Sequence, residues 1–177
     1  ANRMNYLINE LLTFSKIEMK QMRISVRKGD IMHFLEELSH IFDIVAGERE
    51  IDFIVNLEDT EEEVWFSPSK LERILYNLLS NAFKYTQPGG YVKLSAKLIK
   101  EEKETFVQIS VKDNGRGIPK EAQEQIFESY YQVEKRDHRE GFGLGLSLTR
   151  SLIHMHKGEI RVESEVNEGS DFIVTLN

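Results

Sequence analysis

Four strand-like runs fall into two pairs, each closed by a short turn, and helical spacing is confined to other parts of the chain. Tyr91 to Ile99 and Thr105 to Lys112 are rich in β-forming residues, with Val107, Ile109 and Val111 alternating, and the charged stretch Lys100 to Glu104 joins them. Gly158 to Glu165 and Ser170 to Leu176 form the second pair across Asn167-Glu168-Gly169. Connections this short force antiparallel pairing, since a parallel crossover needs a dozen or more residues. With helices elsewhere, the pattern predicts an α+β fold: a two-layer α/β sandwich whose mixed, mostly antiparallel sheet is covered by three helices.

The helices are read from apolar spacing. Ile31, Phe34, Leu35, Leu38, Ile41, Phe42 and Val45 recur at offsets of three and four and predict one amphipathic helix, N-capped by Asp30 and ending near Gly47. Ile51 to Leu57 reads as a strand, the acidic run Glu58 to Glu63 as a solvated loop, and Val64-Trp65-Phe66 as a short strand with Trp65 in the core. A helix is predicted from Pro68, favoured at a first helical position, to Tyr85, ahead of the breaker Gln87-Pro88-Gly89-Gly90. Pro119 to Ser129 reads as a short helix, Glu134 to Glu140 as a polar loop, and Gly143 to His156 as a further helix, with His154 and His156 as polar residues at its end. Residues 2 to 22 place Met4, Leu7, Ile8, Leu11, Leu12, Met19 and Met22 on a helical stripe that a partner helix or the chain's own domain could cover.

Composition removes whole classes of function. The 30 acidic against 23 basic residues give a net charge of −7 with no basic stripe, which argues against nucleic acid and anionic membranes as partners. The absence of cysteine excludes disulfide frameworks, thiol catalysis and Cys-ligated metals. No apolar run reaches membrane-spanning length, no signal architecture opens the chain, and the lack of a starting Met suggests a piece of something larger.

Three elements carry chemistry. On the helix from Pro68, Leu71, Ile74, Leu75, Leu78, Leu79 and Ala82 take one side, while Arg73, Asn77, Asn81 and Lys84 share a wedge opposite. That wedge suits an ordinary solvated face. It can also be read as an Asn carbonyl ligating Mg²⁺ with Lys84 one turn away on the phosphates, and asparagine is a mediocre helix former for a face chosen only for stability. Asp113-Asn114-Gly115-Arg116-Gly117-Ile118-Pro119 follows the alternating strand; its Asp could accept from an exocyclic amine such as adenine's, or simply form an Asx-turn. Gly141-Phe142-Gly143-Leu144-Gly145-Leu146 runs into a helix, where open backbone amides and the positive helix end suit a polyphosphate. It is neither the Rossmann fingerprint nor a P-loop.

In this order and spacing the three elements resemble the ATP-binding module of sensor histidine kinases, within the gyrase, chaperone, kinase and mismatch-repair ATPase superfamily. LERILYNLLSNAFKYT is similar to the family's Asn box, DNGRGIP to its first glycine box, IFESYYQVE to its Phe box, GFGLGLSL to its second glycine box and GSDF to its closing motif. The resemblance implies a Bergerat-type ATP-binding fold over residues 24–177. It implies that residues 1–23, with LINELLTFSKIEMKQM, are the C-terminal part of the second helix of a dimerisation and phosphoacceptor hairpin. It further implies Mg²⁺ ligation by Asn81 assisted by Asn77, phosphate contacts from Lys84 and Tyr85, and adenine reading by Asp113. The remaining ATP-binding positions it implies are Gly115, Gly117, Ile118, Gly141, Phe142, Gly143, Leu144, Gly145, Leu146 and Ser170, with Tyr130 to Gly141 as the ATP lid. Gln132, Phe142 and Lys157 depart from residues common in the family.

The implied function is transfer of the γ-phosphoryl of Mg·ATP to a histidine, with ATP and Mg²⁺ as cofactors. The implied partners are the phosphoacceptor helix of the same or partner protomer and a response-regulator receiver domain, in a homodimeric full-length protein. The implied setting is the cytoplasmic domain of a membrane-bound sensor. Superfamily members that hydrolyse ATP usually place Glu where Asn77 stands, and an amide cannot activate water. None of His33, His40, His138, His154 and His156 sits in the family's phosphoacceptor context, so the nucleophile is expected outside this chain. The alternative is a nucleotide-gated interaction module that binds ATP without transferring it.

Overall fold

The computed structural model describes residues 24–101, 104–131 and 143–177, together with Ser15. The helix expected over 2–22, the polar loop 134–140 and two expected site residues, Gly141 and Phe142, lie outside the described residues. In chain order the elements are β1 (Arg27–Gly29), α1 (Ile31–Ser39), α2 (Ile41–Arg49), β2 (Asp52–Leu57), β3 (Val64–Phe66), α3 (Pro68–Tyr85), β4 (Tyr91–Glu101), β5 (Glu104–Asp113), α4 (Gly145–Met155), β6 (Glu159–Glu165) and β7 (Gly169–Leu176). Among the described residues no helix is long and apolar enough to cross a membrane.

Five strands make one layer in the order β2-β4-β5-β7-β6. The two hairpins supply the antiparallel pairs β4–β5 and β6–β7, and β5 joins them by pairing antiparallel with β7. β2 runs parallel to β4, because β3 and α3 carry the chain across between them. Strand alternation sends Val92, Leu94 and Ala96, Val107, Ile109 and Val111, and Phe172, Val174 and Leu176 to one buried face. Register lines them into rows, with Leu94 opposite Val111 and Val111 opposite Phe172. Against these rows lie the buried Leu71, Ile74, Leu75, Leu78 and Leu79 of α3 and Leu148, Leu152 and Ile153 of α4. Each such side chain contributes about 1.5–3 kcal/mol by leaving water. The opposite face of the sheet is polar, with Ser110 donating to the Asp171 carboxylate across β5 and β7.

Four local expectations are corrected. The single helix predicted from Ile31 is two helices, α1 and α2, joined at His40, where the Ser39 hydroxyl bonds back to the Glu36 carbonyl and competes with the helical ladder. Beyond that break Phe42 packs inward on Phe83, ring centroids 5.7 Å apart, while Ile41 and Ile44 are exposed. Trp65 is not core: it is 63% exposed, because Val64 and Phe66 take the inward positions of a three-residue strand and alternation leaves the middle residue outside, opposite Lys28 of β1. The antiparallel pairing of β1 with β3 was not anticipated; Lys28-Gly29-Asp30 reads in the sequence only as punctuation ahead of the helix. Pro119 to Ser129 is not an α-helix but two 3₁₀ turns, Lys120–Ala122 and Gln125–Phe127. Gln123 Nε2 holds this stretch down by donating to the carbonyls of Ile118 and Ser164. Finally, His156 is buried rather than a polar helix end, its ring lying between the Leu152 carbonyl and the Ser67 amide.

Candidate functional site

α3 is the spine of the site. Its 18 residues follow the predicted span from Pro68 to Tyr85, and its apolar stripe fixes the opposite face. That face is not simply solvated. Asn77 is 7% exposed, and its Nδ2 donates to the Gly145 carbonyl and to Thr149 Oγ1, each at 3.1 Å, tying the middle of α3 to the first turn of α4. Asn81 and Lys84, one and two turns on, are half-buried. The C-terminal end of α3 is tied to the turn after β5: Arg116 N–H donates to the Tyr85 carbonyl at 3.4 Å, and a Cβ placed on Gly115 would stand 2.4 Å from that same oxygen. Gly115 is thus required by chain-to-chain approach.

Two cations gather at Tyr85. Lys84 Nζ donates to the Tyr85 hydroxyl at 3.0 Å and lies 4.7 Å from its ring centroid, and the Arg116 guanidinium lies 4.3 Å from the same centroid. Cations over an aromatic face are held by its quadrupole.

Asp113 continues the alternation of Val107, Ile109 and Val111, so its carboxylate points into the helix-covered face at the end of β5. It is 5% exposed. One carboxylate oxygen accepts from the Gly115 amide at 2.8 Å, so the Asx-turn is present. A turn of this kind works as well in water, however, and does not require a buried charge. Burial pushes the Asp113 carboxyl up to about 6; hydrogen bonds from Gly115 and Ser170 pull against that rise, and the Asp171 charge adds to it. An acceptor this desolvated gains most from a ligand that donates to it.

The other expected positions have mostly scaffolding contacts. Gly117 has φ +68°, and a Cβ there would come within 1.9 Å of the Glu165 carbonyl. Ile118 N–H donates to Ser164 Oγ at 2.8 Å; Ser164 gives its proton to the Gly169 carbonyl at 2.7 Å, so Ser170, 2.9 Å away, is the donor in the hydroxyl pair. Ser170 also faces Asp113 across the β5–β7 ladder. Gly143, at φ +69°, packs its backbone on Tyr130 and Tyr131. Leu144 is buried and Leu146 packs on the core, with no side-chain cap at the start of α4. A Cβ on Gly145 would make ordinary contact with the Asn77 amide at 3.8 Å. Sequence reasoning missed Thr149, Arg116, Ser164 and Gln123. A hydroxyl between Leu148 and Leu152 was the one signal available for the first of these.

A two-layer sandwich with a buried acceptor, paired cations and a glycine-rich turn around one helix defines a nucleotide-binding domain. The chain belongs to the family described as histidine kinase-, DNA gyrase B-, and HSP90-like ATPase, which it matches over residues 66–177. It is 35% identical over 178 residues to sensor histidine kinase WalK of Bacillus subtilis, covering 99% of this chain and 29% of that protein. It is 34% identical over 173 residues to adaptive-response sensory kinase SasA of Crocosphaera subtropica, covering 98% of this chain and 44% of that one. A crystal structure of full-length ShkA in complex with AMPPNP superposes with a TM-score of 0.87 at 26% identity, over 98% of this chain and 35% of that one. The chain spans less than half the length of these relatives and has the ATP-binding catalytic domain of sensor histidine kinases.

Proposed function

We propose that this domain presents the γ-phosphoryl of Mg·ATP to a histidine outside these 177 residues, in a two-component relay. In this reading Asp113 accepts from the adenine amine, and Lys84, Tyr85 and Arg116 meet the phosphates. The backbone of Gly143 to Leu146 lies along the polyphosphate, and Ser170 buttresses Asp113. The observation that carries it is the double anchoring of α3, with Asn77 on the start of α4 and Tyr85 on the Asp113–Arg116 turn. One helix held at both places thereby fixes Asn77, Asn81 and Lys84 relative to the turn that carries Asp113, and positioning is most of what phosphoryl transfer asks of a protein.

Asn81, with Asn77 one turn before it, suits Mg²⁺. Both offer hard amide oxygens, and Mg²⁺ is commonly held by one or two protein oxygens plus substrate phosphates. Among the described residues no group of three or more His, Cys, Asp or Glu side chains is placed to hold a metal, so the proposed ion is one that arrives with the nucleotide. When bound, it supplies charge neutralisation on the β- and γ-phosphates. An amide at Asn77 rather than a carboxylate leaves no general base there for water, which favours retention of ATP until a histidine is presented.

Residues 1–23 then belong to the dimerisation and phosphoacceptor hairpin and 24–177 to the catalytic domain, in a homodimeric, membrane-bound sensor with this part in the cytoplasm and a receiver domain as the acceptor protein. The described histidines fit that division: His33 and His40 are exposed beside Glu37 and Asp43, His154 is exposed, and His156 is buried. The test incubates the chain with γ-labelled ATP alone and with the parent's complete hairpin as a separate polypeptide. Acid-labile label on the hairpin supports the reading. Nucleotide binding with no label on either chain would favour a binding module that does not transfer.

A further inference from the structure

β2 is an edge strand: the order β2-β4-β5-β7-β6 leaves one side of it unpaired among the described residues. Asp52 and Glu58 donate their amides to the Gly90 and Ala96 carbonyls on the β4 side, and alternation assigns Ile54 and Asn56 to that side as well. Phe53, Val55 and Leu57 therefore turn their amides and carbonyls to the open edge. Such an edge is usually blunted by lysine, proline, a bulge or a covering element. Nothing of that kind interrupts Phe53 to Leu57, and Ile54 and Val55 are 45% and 38% exposed. Beside the edge runs a groove of about 510 Å³, with Val55, Leu57 and Met32 as its apolar lining. Its other wall is one flank of α1 continued into α2, where Met32, Glu36, Ser39 and Asp43 recur at helical spacing. Five carboxylates line the groove, those of Asp30, Glu36, Asp43, Glu58 and Asp59, against two histidines and no lysine or arginine. Even with both histidines protonated it keeps a net negative charge.

We propose that the open edge of β2 and this groove form a docking site for a basic, extended segment of a partner protein. The segment adds as a sixth strand to the sheet, bonding through its backbone to Phe53, Val55 and Leu57. Successive side chains of a strand point to opposite faces, so every second one faces the helix layer. Lysine or arginine at those places lays its methylene stem along Val55 and carries its charge to Glu36 and Asp43. The intervening side chains fall beside the exposed Ile54 on the other face, where apolar residues pair best. Charge decides against a second copy of this chain as the occupant: antiparallel pairing of two β2 edges centred on Val55 would set Asp52 of each copy opposite Glu58 of the other. The site lies on α1, α2 and β2 and does not rest on the nucleotide reading.

The experiment titrates the 177-residue chain, at low ionic strength, with a fluorescent peptide of three Lys-Val repeats capped at both ends. Comparison peptides carry Glu in place of Lys, or methyl groups on the backbone nitrogens of either the lysines or the valines. Expected is saturable binding of the Lys peptide that slows solvent exchange at the Phe53, Val55 and Leu57 amides. Binding should weaken by about tenfold or more with the Glu peptide and with at least one N-methylated form, since only one set of peptide nitrogens faces β2. Glu36→Lys combined with Asp59→Lys, at two exposed positions, should weaken it by about tenfold. Should that variant fail to fold, the peptides decide without it. No saturable binding of the Lys peptide, or equal binding of the Glu peptide, would overturn the proposal. Equal binding of both N-methylated forms would leave only charge attraction and overturn strand addition. Slow exchange at the same three amides in a dimer of the chain alone would make the edge a contact between copies and overturn the proposal likewise.

Discussion

Asp113 puts a charge at a core position of β5, and that placement has opposite effects on folding and on binding. Its carboxyl is raised from 3.8 to about 6 by burial, so the folded state takes up its proton more readily than the unfolded chain. The resulting penalty is absent below about pH 3.8, where both states are protonated, grows through the interval, and is complete above about pH 6. Asp113→Asn should therefore raise nucleotide-free stability at pH 8 by on the order of 2 kcal/mol and flatten this part of the pH profile, read by thermal melts. The same change should weaken ATP binding by ~1.5–3 kcal/mol and erase the preference for ATP over GTP, because a charge-assisted bond to the adenine amine is lost. In the parent chain ATP affinity should fall as pH drops through about 6, since the amine needs the ionised acceptor. Calorimetric titrations at pH 5 and 8 that agree would remove Asp113 from the adenine site.

Glycines in the turns and polar residues on α3 separate fold from function at the scale of elements. Gly117 and Gly145 both lie in the motifs expected to bind ATP, yet they meet different surroundings. Gly117→Ala combines φ +68° with a Cβ 1.9 Å from the Glu165 carbonyl and should destabilise by about 3 kcal/mol or more. Gly145→Ala adds a Cβ in ordinary contact at 3.8 Å and should stay within about 1 kcal/mol of the parent in denaturant melts. The two faces of α3 should divide likewise. Leu78→Ala, on the buried face, should lose about 2–5 kcal/mol of stability. Asn81→Ala should keep the fold and lose the Mg²⁺ dependence of ATP binding; a large drop in melting temperature with that dependence intact would return Asn81 to a structural role.

At the scale of the whole molecule, the domain has its own core and its own site but no histidine in a setting for transfer among the described residues. Phosphoryl transfer needs an in-line acceptor, so the 177-residue chain should bind Mg·ATP without labelling itself. On the proposal that residues 1–23 are half of a dimerisation hairpin, it should also be mostly monomeric by sedimentation, because half a hairpin does not rebuild a four-helix dimer interface. Label on the isolated chain at any of its five histidines would place the nucleophile within it.

Sequence periodicity by itself determined the sheet's two hairpins, the span of α3 and the face on which Asn77, Asn81 and Lys84 lie, because local spacing translates directly into which side of an element a residue occupies. Asp113 was legible too: extending the alternation of Val107, Ile109 and Val111 by one step predicts a carboxylate at a core position. What the sequence could not decide depends on partners distant in the chain. Which way the chain turns after the break between α1 and α2 goes with Phe42 stacked on Phe83, the exposure of Trp65 follows from pairing with β1, and the 3₁₀ turns are held by Gln123 reaching Ser164. Nor could the sequence show that Gly115 and Gly117, whatever they do for a ligand, also make room for the backbone at Tyr85 and Glu165. The contact of Asn77 with Thr149 spans 72 residues, and no local pattern encodes a hydrogen bond between two helices until the sheet has brought them side by side.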